Sequence, residues 1–570
     1  MYKRFFILLI LPILFLNFNS KVYSDEKPAY GGTLRLSTIS DPKSFNPVIA
    51  QETSTTSITR YIFEGLLDQD VDTLEMKPHL AESWTKDKDG LVWEFSLKKD
   101  IQWNDGTPFT ADDVVFSYNS LVYNENIPCS ARDILTIKGK NIKVEKVDDH
   151  TIRFTLPSPF APFLRTAGMV EILPKHAYEK YVNENKFNFA MSLNAKPEEI
   201  IGTGPFMLSE YKPGQSVILK RNPLYWKKSE IGRLPYLDKI SFSIYGDEVA
   251  IIQFQQKNID IYGVRGTDYP ILKPLENKND FTIYNLGPAF GSNFLTFNLN
   301  TSKNADGGSY IDKRKLDLFR KVNFRKAIAH AIDKEFIIDS VFNGFAQIQY
   351  SPVSPANTLF HNKETEKSFP YEYDPEKSKT LLSKCGLKDI NGDKILDYPD
   401  GTTVEFNLFT NSGNKLREKI CEIIRKDLET IGLKVNYRLL EFNYIVEKTL
   451  NTYDWDSIVL GFTGSIEPHF GANVWRSNGH LHMWHPKQEK PDFPFESEID
   501  NIFNNALEIM DDGIRKKHYD KWQILAADNL PLIYTVVSQM LTAVDNRLGN
   551  VKPKTNGGVL HNIEEIYIKK

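Results

Sequence analysis

The sequence predicts an α/β protein built from at least two domains, and three observations carry that expectation. Between 235 and 261 an alternating strand pattern ending at Ile244, a short helix over 248–257 and a second strand over 259–261 follow one another, the order that lays helices against a sheet. The same order returns later, with an amphipathic helix over 415–431, Gly432 as its stop, and strands over 433–440 and 455–461. At 570 residues the chain is too long for one ordinary core, so the two stretches belong to different lobes.

Taken in order, the chain opens with Lys3-Arg4, an apolar run over 5–16 and small residues at Val22 and Ser24, the layout of a secretory signal cleaved between Ser24 and Asp25. Pro12 and the shortness of the run argue against a spanning helix. Loss of Lys3, Arg4 and Lys21 takes the net charge from -4 to -7, which offers no basic surface to nucleic acid. Cys129, Cys385 and Cys421 are the only cysteines, and none follows the signal as a lipid-modified residue would. Three thiols allow at most one bridge, and spacing leaves open whether Cys385 and Cys421 meet.

A short strand over 31–37 is closed by Pro42, and the small polar stretch 51–56 then leads into a helix or presents backbone groups. The block 63–121 reads as strands at Leu91-Trp93-Phe95-Leu97 and Ile101-Trp103, turned at Asp89-Gly90 and Asp105-Gly106. They feed a helix from Ala111 to Leu121, with Thr110 as its cap and Asp112 and Asp113 at the positive end of its dipole. Thr151 to Leu156 alternates as another strand, and Asn293 to Asn298 as one more. Gly202 and Gly204 lack the third glycine of a dinucleotide loop. Asp389, Asn391 and Asp393 have calcium-like spacing, but Lys394 stands where an EF-hand needs glycine and Asp400 where it needs Glu, so an Asx-rich turn is the better reading. Helices are expected over 324–333, 374–385, 496–509 and 515–529. His176 and His330 lack neighbouring ligands and read as capping or packed histidines.

The ordered motifs E-G-L-L at 64–67, A-E-S-W at 81–84, D-G-x-x-W-x-F-x-L-K at 89–98 and W-x-D-G-T-P-F-T-A-D-D-V at 103–114 resemble the family 5 extracellular solute-binding proteins. These are the periplasmic receptors of peptide and nickel ABC importers. G-T-G-P-F at 202–206, R-N-P-L-Y-W at 221–226 and the helix 324–333 extend the resemblance. It implies a two-lobed α/β fold of the periplasmic binding protein type, class II and cluster C-like, with a small extra subdomain in the first lobe. The expected division is a signal at 1–24, a first lobe from 25–55, 190–288 and 530–570, an accessory subdomain at 56–189, and a second lobe at 289–529. It implies a short peptide captured by hinge closure and delivered to permease and ATPase subunits in the inner membrane, by a monomeric periplasmic protein without a cofactor.

For the site, the resemblance places Thr53, Ser54 and Thr55 beside the cleft. It also draws attention to the loop after the strand 455–461, because the carboxyl end of such a strand opens toward a cleft. Phe462, Thr463, Gly464, Ser465, Glu467 and Trp475 are therefore candidate ligand-binding residues. Peptide-binding relatives carry an aspartate for the peptide's ammonium where Ser465 stands. Either Glu467 supplies that charge, or the ligand is not a peptide with a free N-terminus, because an unpaired ammonium in a closed cleft costs several kcal/mol. His469, His480, His482 and His485 crowd the same stretch, and the alternative reading is a receptor for nickel, haem or another metal-containing ligand. No hydrolase, zinc or nucleotide motif is present, which argues against an enzyme.

Overall fold

The computed structural model describes residues 27–50, 53–129, 131–304 and 306–570. The expected signal segment and its cleavage point lie outside the described residues, as do Gln51 and Glu52. In the first lobe a four-stranded sheet runs in the order Thr33–Thr38, Lys239–Ile244, Ser216–Arg221 and Phe206–Lys212. Leu34 and Leu36 face Ile240 and Phe242 in register, and the alternation that predicted these strands turns these four side chains into the core.

The second sheet of this lobe holds Ile261–Val264, Val536–Asp545 and Phe281–Pro288, with Ala346–Ile348 pairing onto the start of Val536–Asp545. Buried Asp260 ties its pieces together. It accepts from Arg35 near the N-terminus and Arg547 near the C-terminus, both at 2.5 Å at their shortest.

The accessory subdomain is an antiparallel sheet in the order Ala81–Lys86, Val92–Leu97, Thr151–Thr155 and Lys143–Asp148. Trp93, Phe95 and Phe154 meet the ring of Phe163 at 5.1–6.2 Å between centroids, so one face of the sheet is sealed by aromatic edges. The expected strand at Ile101-Trp103 is reduced to a single bridge between Gln102 and Pro108, because the turn through Gly106, at φ 92°, closes at once. The helix after Thr110 is started from the other direction, with the carboxylate of Asp113 accepting from the Thr110 backbone at 3.0 Å. Ala111–Val115 then widens into a π-helical run over Phe116–Val122.

The second lobe centres on a five-stranded sheet ordered Lys434–Leu440, Glu405–Asn411, Ser457–Phe462, Ser292–Phe297 and Leu532–Tyr534. Helix Lys415–Thr430 lays Ile420, Cys421, Ile424 and Leu428 on it. All three cysteines are free and buried, and burial pushes the Cys421 thiol up to about 12. The Asp389 loop is an Asx turn, its carboxylate taken by the backbone N–H groups of Gly392 and Lys394.

Segments 288–292 and 534–536 cross between lobes side by side, and Ala346–Ile348 runs along the start of Val536–Asp545 at the same place. The Ala289 amide donates to Ser538 and the Thr535 amide to Asn293. The last strand before the return, Leu532–Tyr534, still pairs with Phe294 to Thr296, so in this sheet the second lobe extends past 529 and the chain crosses at Thr535.

Candidate functional site

Strand Ser457–Phe462 ends against the crossing segment, with Phe462 opposite Ser292 and its ring 5.0 Å from that of Phe294. The loop that follows is pressed onto the same segment. A Cβ at Gly464 would lie 1.8 Å from the Phe290 carbonyl oxygen, so this position admits only glycine. Asn357 holds the loop by donating to the Ile466 carbonyl at 2.8 Å, and the Ser465 hydroxyl donates to the Glu467 carbonyl at 2.9 Å.

This packing opens a cavity of about 300 Å³ whose wall includes Phe462, Thr463, Gly464, Ser465 and Trp475. Trp475 contributes from a packed base, its ring 5.3 Å from Trp522 and 5.6 Å from Trp484. Phe470 also borders a second cavity of about 230 Å³, whose other lining residues belong to the first lobe and its accessory subdomain. Pro47, Val48, Thr56, Arg165 and Glu171 line it from the first-lobe side. Thr53, Ser54 and Thr55 form the first turn of helix Thr53–Thr59, and it is Thr56 that reaches the cavity. Thr55 is buried with its hydroxyl accepting from the Lys43 amide at 3.0 Å.

Glu467 sits elsewhere than in either cavity lining. It is 1% exposed and forms an ion pair with Arg515, which is fully buried and also stacks over Phe360 and Tyr519. Its second oxygen lies 3.8 Å from Arg165, which reaches across from the accessory subdomain and bonds Asp512 at 3.0 Å. The carboxylate that sequence offered as a countercharge for a ligand is thus already neutralised within the protein. Arg165, Glu171, Arg515 and Asn357 carry no motif that would single them out in the sequence.

The four histidines do not converge. His480 is exposed. His482 is buried, with Nδ1 against the Val474 carbonyl and Nε2 toward Glu496, while His485 is held between Ser302 and Asp492. His469 packs edge-on to Phe160, and burial together with Arg476 and Arg515 pushes it down to about 3, so it is neutral. Among the described residues no three His, Cys, Asp or Glu side chains gather as a metal site requires.

The model of the bacterial extracellular solute-binding proteins, family 5, matches residues 75–481. The chain belongs to that family. Membership in family 5, which the motifs at 64–114 and 202–226 implied by resemblance, is shown, and the two-lobed α/β architecture is the family 5 fold. Among curated proteins, this family 5 chain is 30% identical over 566 residues to the oligopeptide-binding protein AppA of Bacillus subtilis, covering 96% of this chain and 93% of the relative. The structure of that Bacillus subtilis protein in complex with a nonapeptide aligns with a TM-score of 0.73 at 28% identity, over 95% of this chain and 100% of the other. NikZ from Campylobacter jejuni, solved with Ni(L-His), shares the fold with a TM-score of 0.72 at 23% identity, over 95% and 100% of the two chains.

Proposed function

We propose that the protein captures a peptide of a few residues between its lobes and delivers it to the permease and ATPase of an importer in the inner membrane. The observation that carries this reading is the inter-lobe cavity. It is lined by first-lobe and accessory-subdomain residues and closed on the second-lobe side by Phe470, and the adjacent crossings at 288–292 and 534–536 supply the hinge on which the lobes open and shut. The oligopeptide-binding relative, at 30% identity over almost the whole chain, points to a peptide as the occupant. Shutting the cleft desolvates the peptide's ends and lets its main chain pair with backbone groups near the crossings, so affinity comes from main-chain hydrogen bonds and selectivity from side-chain pockets. Phe462, Thr463, Gly464, Ser465 and Trp475, which line the adjoining second-lobe cavity, form a side-chain pocket for the same ligand. No bond of the ligand is made or broken, and the protein acts as a monomer. Residues 1–24 direct it to the periplasm.

Native mass spectrometry of protein purified without denaturation tests this. A co-purifying ladder of peptide masses is expected. Retention of a metal or haem alone, with synthetic peptides failing to raise Tm, would overturn it.

A further inference from the structure

The cavity bordered by Phe470 has an acidic side chain on its wall with no cation facing it among the described residues. Two of its lining side chains are ionisable as acid or strong base, Arg165 and Glu171. Arg165 is committed to Asp512 and Glu467. Glu171 has no ion pair among the described residues. It also borders a neighbouring cavity of about 200 Å³, and the cations there are engaged elsewhere. Lys227 bonds Glu564 at 2.7 Å, His79 bonds Glu64 at 2.9 Å, His561 bonds the Lys552 carbonyl, and Arg60 lies over the Tyr61 ring.

The position of Glu171 is rigid. Its backbone bridges Gly65, the next amide, that of Ile172, donates to the Glu64 carbonyl at 3.0 Å, and a Cβ at Gly65 would lie 2.8 Å from the Gly168 carbonyl oxygen. Burial holds the carboxyl above its usual range, so its charged form is disfavoured until a cation faces it. A fixed, partly desolvated carboxylate on the wall of a ligand cavity is poorly satisfied until a cation arrives. Glu467 cannot take that role, since Arg515 occupies it.

We infer that Glu171 is the residue that receives a cationic group of the bound peptide, an ammonium or a guanidinium entering the cavity from the second-lobe side past Phe470. The inference rests on the peptide reading above and assigns the first lobe a selectivity role. The cation forms a charge-assisted hydrogen bond to the Glu171 carboxylate, and the closing lobes shield that bond from water. Neutral and acidic peptides leave the carboxylate unpaired and bind about 10- to 100-fold more weakly.

The test uses a library of hexapeptides with Lys, Arg, norleucine or Glu at each position, supplied with free and with acetylated N-termini, in competition for the full-length mature protein and read by native mass spectrometry. Wild type is expected to enrich cationic members at least tenfold. Loss of that enrichment on acetylation identifies the α-ammonium as the group held, and loss on Lys→norleucine replacement identifies a side chain. Glu171→Gln is expected to flatten the preference while still binding neutral members, and Glu171→Asp to retain part of it, with Tm values confirming that both variants fold. An unchanged ranking in Glu171→Gln, with peptides still bound, would overturn this inference and leave the peptide reading standing. Failure of wild type to retain any member would overturn both.

Discussion

Arg165 is a buried side chain through which the accessory subdomain holds the second lobe, beside the exposed Lys138–Glu508 pair, and its removal should loosen the closed form without unfolding either lobe. Its guanidinium lies 3.0 Å from Asp512 Oδ2 and 3.8 Å from Glu467 Oε2, with Arg165 12% and Asp512 37% exposed. A hydrogen bond to a charged group is worth about 1.5–3 kcal/mol when desolvated, and the exposure of Asp512 cuts this roughly in half. About 1.4 kcal/mol is a factor of ten, so Arg165→Ala should move the open–closed equilibrium and the apparent peptide affinity by about tenfold. Because Arg165 also lines the inter-lobe cavity, Asp512→Asn provides the separating arm: Asp512 touches the contact but is absent from the cavity wall. Calorimetric Kd values for one retained peptide, with small-angle scattering of the empty protein, read both effects. A double-mutant cycle should show the two substitutions coupled, each shifting scattering toward the open form. An affinity loss in Arg165→Ala with Asp512→Asn unchanged in both measurements would refute the latch.

Three further outcomes follow from buried charge. Glu467→Gln leaves fully buried Arg515 without its main counterion and should lower stability by about 3–5 kcal/mol in denaturant unfolding, whereas Glu467→Gln with Arg515→Met should recover much of that; an unchanged midpoint in the single variant contradicts it. Burial pulls Lys334 down to about 8, so the folded state sheds its proton first and stability rises as pH climbs from about 8 toward the unfolded value near 10.5. Lys334→Met should therefore gain about 2–3 kcal/mol at pH 7 and lose that slope, and equal slopes in the two proteins would sink the argument. Asp427 is pushed up to about 6 by burial and by neighbouring Asp333, so stability it contributes below about pH 4 is lost as pH rises through 6. Asp427→Asn keeps an acceptor for the Asp333 amide and should raise Tm at pH 7 but not at pH 4; a pH-independent difference would count against this account.

Much of the fold could be read locally, because strands such as Val92–Leu97 and Thr33–Thr38 have one buried face and therefore alternate. The crossing back to the first lobe was less legible. Leu532–Tyr534 is buried throughout, so its pattern does not say which sheet it joins, and only the pairing with Phe294 to Thr296 decides. At the site, the loop 462–465 could be located from the strand before it, whereas the state of Glu467 depends on Arg515, 48 residues away on another helix. The histidines look clustered along the chain, but the fold turns them apart. Gly479 is wedged where a Cβ would sit 2.0 Å from the Asn473 carbonyl oxygen, and around that turn His480 goes to solvent and His482 into the core.

Strand Val536–Asp545 has a consequence for how the molecule matures. It lies between Ile261–Val264 and Phe281–Pro288, so residues from the last tenth of the chain occupy the middle of a sheet whose other members were made hundreds of residues earlier. A polypeptide emerging N-terminus first has two unmatched strand edges in that sheet until nearly all of it has been made, which keeps the first lobe unfinished until synthesis is almost over. Completion of the lobe and completion of the chain are thereby the same late event.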